Sequence, residues 1–117
     1  MILRRIALGL SILFFCCGGQ VWAHAILMGA TPAANQLVAR GSTPVKLRFN
    51  SRIDGKRSAL SLLAPDGSGR ALAIVQPAPD TLTATTGDLT PGYYVLQWQV
   101  LAEDGHISRG EMGFRVQ

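Results

Sequence analysis

A long alternation of apolar and polar residues runs through 93–101, where Tyr94, Leu96, Trp98 and Val100 fall on one side of an extended chain. Successive side chains of a strand point to opposite faces, so these four predict a strand at the centre of a core. A second run, 110–116, predicts its partner. Residues 45–49 (Val-Lys-Leu-Arg-Phe) alternate strictly, and 59–63 and 71–75 are short apolar strands. Residues 81–85, rich in β-branched threonine, predict a strand near a sheet edge. Between them lie turn signals: Asp54-Gly55, Pro65-Asp66-Gly67, Pro77 and Pro79. Residues 30–35 read as a turn-rich connection in which Asn35 takes a left-handed conformation. Pro91-Gly92 feeding Tyr93-Tyr94 is similar to the tyrosine corner of Ig-like sandwiches. About seven short strands and no convincing helix predict an all-β fold, an antiparallel β-sandwich.

Residues 1–23 do not belong to this pattern. Arg4 and Arg5 give a basic start, 6–15 is almost wholly apolar, and Val21-Trp22-Ala23 supplies small residues at the two positions a signal peptidase reads. That is the pattern of a cleaved signal peptide, too short to span a bilayer, and it predicts export. Bulky Phe14-Phe15 before Cys16 argues against lipidation. Cleavage after Ala23 removes both cysteines, Cys16 and Cys17, and leaves 94 of the 117 residues as one domain, 24–117. With Arg4 and Arg5 gone, nine Lys and Arg stand against seven Asp and Glu, so the net charge of +4 drops to +2. The basic residues are scattered rather than arranged in a stripe, and no nucleic-acid partner is expected.

Candidate chemistry gathers at Glu103-Asp104-Gly105-His106, between the two long strands. Asp104 and His106 are two residues apart, which on an extended backbone projects both side chains to one side. The only other histidine is His24, the residue that cleavage exposes. An N-terminal histidine chelates a metal through its α-amine and its ring together. Amine, two imidazoles and a carboxylate form a tetragonal nitrogen and oxygen set that suits Cu(II), which heads the divalent affinity order for such donors. Zn(II) prefers a tetrahedral arrangement. The same residues have plainer readings. Asp-Gly is a common hairpin turn, His106 reads equally as an exposed strand residue, and any residue can follow a cleavage site.

The order and spacing of several short motifs are more specific than any one of them. Ala23-His24, Thr31-Pro32-Ala33, Leu47-x-Phe49 and Pro91-Gly92-x-Tyr94-x-x-x-Trp98 are followed by Asp104-Gly105-His106, Gly110, Phe114 and Val116. In these, residues 24–117 resemble the CopC family of periplasmic copper-binding proteins over essentially their whole length. The resemblance implies an Ig-like Greek-key sandwich that binds one Cu(II) per chain through His24, Asp104 and His106, with an inner-membrane copper transporter of the CopD type as partner. Asn50 stands where a serine often follows Leu-x-Phe, Ser51 where some members have a glutamate near the copper, and Ile107 where proline is usual. Members with a second, Cu(I) site use a methionine-rich loop. Here the mature chain has only Met28 and Met112, and 77–86 has none, so no Cu(I) site is expected.

The leading expectation is therefore a non-catalytic periplasmic Cu(II) protein acting in copper resistance, trafficking or uptake. Two alternatives come from other classes. Copper held by an amine and two imidazoles also serves oxidative polysaccharide-cleaving enzymes, although the anionic Asp104 would stabilise Cu(II) against reduction. A metal-free Ig-like interaction module is the other.

Overall fold

The structure is a computed structural model that describes residues 25–117. The expected leader, 1–23, its cleavage site and His24 lie outside the described residues. Nine strands follow one another: β1 (Leu27–Thr31), β2 (Leu37–Val38), β3 (Gly41–Phe49), β4 (Ile53–Leu63), β5 (Gly69–Leu72), β6 (Val75–Ala78), β7 (Thr81–Leu89), β8 (Gly92–Ala102) and β9 (Ile107–Val116). They form two sheets, ordered β1-β3-β7-β6 and β2-β9-β8-β4-β5. Every pairing is antiparallel except that of β2 with β9. No described residue is helical.

The predicted alternation is what packs the two sheets together. Val45, Leu47 and Phe49 of β3 and Leu82 of β7 are buried with Leu60 and Leu62 of β4, Leu96 and Val100 of β8 and Phe114 of β9. The intervening residues of β3, Ser42, Pro44, Lys46 and Arg48, are exposed. Tyr94 stacks on Phe114 with ring centroids 5.9 Å apart, and its hydroxyl donates to the Thr90 carbonyl oxygen at 2.9 Å. This is the corner expected from Pro91-Gly92, and it satisfies the polar end of a buried ring. Asn35 has φ 61°, the left-handed conformation the sequence suggested.

The structure departs from the sequence reading at three places. Residues 71–75 were expected to form one strand, but the chain changes sheets there. β5 pairs with β4, whereas β6 pairs with β7 in the opposite layer. Pro77 is tolerated because β6 is an edge strand, where a missing N–H breaks no inner ladder. Asp54-Gly55 was expected to reverse the chain but lies within β4, as part of a bulge between Asp54 and Ala59. The Asp54 carboxylate accepts the amides of Lys56 and Arg57, and the Ser58 hydroxyl donates to the Asp54 carbonyl oxygen, so side chains satisfy what the ladder cannot. The count rises from about seven to nine through this split and through β2, two residues with no pattern of their own. Residues 81–85 lie one strand in from the edge formed by β6.

Gly110 faces Trp98 across the β8–β9 ladder. A Cβ at that position would come within 2.3 Å of the indole, whose ring packs edge-on against Phe49 with centroids 6.5 Å apart. Adding a methyl group there forces Trp98 off Phe49. Gly110→Ala is expected to lower stability by about 1–3 kcal/mol and to shift Trp98 fluorescence to longer wavelength. Denaturant unfolding with fluorescence detection measures both. An unchanged midpoint and spectrum would contradict this packing.

Candidate metal centre

Asp104 and His106 lie in the turn that joins β8 to β9. Ala102 donates its amide to the His106 carbonyl oxygen at 2.8 Å, and Gly105 donates to the Ala102 carbonyl oxygen at 2.9 Å. Gly105 has φ 92°, a backbone conformation in which any side chain is strained. The turn is also held from outside: the Glu103 amide donates to the Arg52 carbonyl oxygen at 3.1 Å, and the two side chains form an exposed ion pair at 3.5 Å. Such a pair contributes little by itself, so the backbone contact is the stronger anchor.

The pair expected to supply ligands is brought together, but not for the reason the spacing suggested. The backbone is a turn there rather than an extended strand. What aligns the side chains is Asp104 itself. Its Oδ1 accepts the His106 amide at 3.1 Å, and its Oδ2 lies 3.1 Å from His106 Nδ1. The His106 amide, and after it the His106 ring, hold the Asp104 carboxyl below the usual carboxylate range. Asp104 therefore stays ionised further into acid than an ordinary aspartate. The two side chains are 41% and 39% exposed, enough to reach an ion from solvent.

Among the described residues, no group of three or more His, Cys, Asp or Glu side chains forms a metal cluster. A carboxylate and an imidazole are two donors, so a further donor must come from elsewhere for tight binding. Ala25 is buried, and its amide donates to Ser108 Oγ at 3.1 Å, two residues beyond His106 on β9. Ile26 donates its amide to Asn50 Oδ1 at 2.7 Å and accepts the Asn50 amide at 2.9 Å. Sequence reasoning noted Asn50 only as a departure and passed over Ser108. The one signal for Ser108 was its place two residues after His106, at the start of β9. Nearby in sequence, Ser51 Oγ is buried without a hydrogen-bond partner among the described residues.

Among the described residues, Met28 and Met112 occupy different sheets. Met28 is 55% exposed at the bulge in β1, whereas Met112 on β9 packs against the core.

The likenesses to known proteins agree with this architecture. The crystal structure of CopC from Methylosinus trichosporium OB3b superposes with a TM-score of 0.72 at 34% identity, covering 80% of this chain and 94% of that one. PcoC from Escherichia coli, described as a methionine-rich copper resistance protein, superposes with a TM-score of 0.66 at 24% identity, covering 81% and 100%. Protein YobA of Escherichia coli K12 is 29% identical over 102 residues, 84% of this chain and 82% of that protein. The sequence profile of the CopC domain matches residues 27–117, and on that match the chain belongs to the CopC family.

Proposed function

We propose that this protein is a periplasmic Cu(II)-binding protein of copper homeostasis, acting in resistance, trafficking or uptake rather than in catalysis. The observation that carries the reading is the Asp104–His106 pair, set 3.1 Å apart in a braced turn beside the point where Ala25 enters the fold. In this reading His24, exposed by removal of residues 1–23, supplies its α-amine and ring, and His106 and Asp104 complete the site. Ala25 supports it. Its amide is held by Ser108, two residues after His106, which supports an approach of the preceding part of the chain to the pair.

The donor set fits the ion. Imidazole and amine nitrogens with one carboxylate oxygen favour Cu(II), whereas Cu(I) favours thioether and thiolate. The carboxylate also favours the more highly charged oxidation state, which supports a carrier over a redox enzyme. The exposed Met28 and the core-packed Met112 lie on different sheets, which supports a single Cu(II) site. PcoC is described as methionine-rich; this chain has three methionines including Met1, so the two differ in soft ligands. Family resemblance further supports an inner-membrane transporter of the CopD type as the partner.

Titration of the exported, processed protein with Cu(II), followed by electron paramagnetic resonance, is expected to saturate at about one equivalent with a nitrogen-rich signal. His106→Ala is expected to weaken binding at least tenfold without unfolding the apo protein. A stoichiometry of two, or unchanged affinity in His106→Ala, would contradict the reading.

The role of Asp104 divides into donor and brace. Asp104→Ala is expected to weaken Cu(II) binding and also to speed hydrogen exchange of the His106 amide, which loses its acceptor. The Ala102–His106 backbone contact should preserve the hairpin. Exchange that is unaltered would show that Oδ1 does not hold the turn in solution.

Reduction of the loaded protein in the presence of a moderate Cu(I) chelator should release the metal readily. Retention of Cu(I) would overturn the single-site assignment.

A further inference from the structure

We propose that the outward face of the β2-β9-β8-β4-β5 sheet docks a second copy of this chain. The two copies pack face to face about a two-fold axis level with Trp98 and Gly110. The surface includes neither Asp104 nor His106, so its occupant is independent of the Cu(II) reading.

The two outward faces of the sandwich differ. On the β1-β3-β7-β6 sheet, the outward positions of β3 and β7 carry Lys46, Arg48, Thr83 and Thr85, as suits a face that meets water. On the other sheet the inward residues of β8 include Tyr94, Leu96 and Val100, yet the outward ones include Tyr93, Val95 and Leu101. A strand that is apolar on both sides is the mark of a sheet covered on both faces. Leu63 of β4, opposite Val95, and Ile107 of β9, opposite Leu101, extend the apolar area. Tyr93 and Ile107 are 43% and 50% exposed, so the described fold leaves them open to solvent.

The order of residues along this face makes it complementary to itself. β8 and β9 run in register with Trp98 opposite Gly110. A two-fold axis lying between two such sheets, across the strands at that level, brings together positions equally far on either side of it. On β8, Val95 then meets Leu101 of the second copy, and Gln97 meets Gln99. On β9, Arg109 meets Glu111 and Gly113 meets Ile107. Apolar groups face apolar groups, amides face amides, and each cation faces a carboxylate. At Gly113 the hydroxyl end of Tyr93 fills the place of the missing side chain. Ile107 of the second copy therefore packs on the Tyr93 ring, the kind of aromatic anchor that dominates interfaces.

The charged groups are available for this pairing. Arg109 Nε donates to Gln99 Oε1 at 2.9 Å, and Gln97 Nε2 donates to Glu111 Oε2 at 3.4 Å, so neutral amides hold both side chains over the face. Among the described residues neither Arg109 nor Glu111 has an ionic partner. The area is also sufficient. β4, β8 and β9 are 11, 11 and 10 residues long. At about 3.4 Å per residue and about 4.8 Å per strand they present roughly 500 Å² of flat face. β2, β5 and the relief of the side chains bring this toward the about 800 Å² per partner of a standard interface. Sheets packed in this way cross at about 30°, so the contacts within about 10 Å of the axis, three residues along the strands, carry the association. An interface of this size with a polar centre gives a reversible dimer.

The test measures the molar mass of the exported, processed protein by sedimentation equilibrium, with a chelator present so that no metal takes part. Over a range of about 1 to 200 μM the unaltered protein is expected to pass from monomer to dimer. Val95→Lys, Arg109→Glu and Glu111→Arg each set a mismatched group against the second copy. Each is expected to weaken association about tenfold or more, with little change in thermal midpoint. Two arms separate docking from a loss of fold. Arg109→Glu and Glu111→Arg combined in one chain restore the pairing, and an equal mixture of the two single variants restores it between chains. Both are expected to dimerise as the unaltered protein does. Lys46→Glu, on the opposite face, is expected to change nothing. A monomer at every concentration would overturn the proposal, even if a different protein were found to cover the face. So would a dimer unaffected by Arg109→Glu, a dimer broken by Lys46→Glu, or single variants whose mixture does not recover. Each of these outcomes leaves the Cu(II) reading, which is titrated separately, intact.

Discussion

The β8–β9 hairpin is the constraint on which the rest depends. Its register runs unbroken from Gly92 opposite Val116 to Leu101 opposite Ile107. It contributes Tyr94, Leu96, Val100, Phe114 and Val116 to the core, and it closes at the Ala102–His106 backbone contact. Because the strands are packed on one face along this length, a slip by one residue would turn every buried side chain to solvent. Register is therefore fixed, and with it the place of Asp104 and His106 at the hairpin's end. Packing of these strands against the opposite sheet decides where two ionisable side chains stand.

Much of this was legible in the sequence because burial on one face of a strand leaves a two-residue period. Leu47, Phe49, Leu96, Val100 and Phe114 announced themselves in that way, and Tyr94 through the Pro91-Gly92 turn before it. What was not legible has a physical reason in each case. Between Leu72 and Val75 the chain changes sheets, and a run of apolar residues is indifferent to which layer it enters. Asp54-Gly55 carries the composition of a turn, but its side-chain contacts support a bulge instead. β2 is too short to have a period. Of the expected ligands, the structure brings Asp104 and His106 together, but their alignment comes from a carboxylate accepting the amide two residues on, not from strand geometry. Ser108 and Asn50 act through single hydrogen bonds to distant backbone, which leave no pattern along the chain.

Membership of the CopC family and the geometry of the turn bear on different questions. The family match accounts for the sandwich and for the chain's likeness to copper proteins over residues 27–117. The turn and the Ala25–Ser108 contact bear on how such a sandwich could hold an ion with few donors. In the proposed reading, a core that runs from Val45 to Val116 would let a metal load and unload without unfolding the protein, as suits a carrier. It contrasts with small domains whose folding depends on their metal.

The central claim is that a chelate at the newly exposed N-terminus joins the Asp104–His106 pair. The most direct test compares Cu(II) affinity of protein beginning at His24 with that of protein carrying one additional residue before it. The extension converts the α-amine of His24 into a peptide nitrogen and alters nothing in the described fold. The account predicts that the extended protein loses most of its Cu(II) affinity while the apo forms unfold at the same temperature. Equal affinity in the two would contradict it, and would mean that the site is built without the amine of His24.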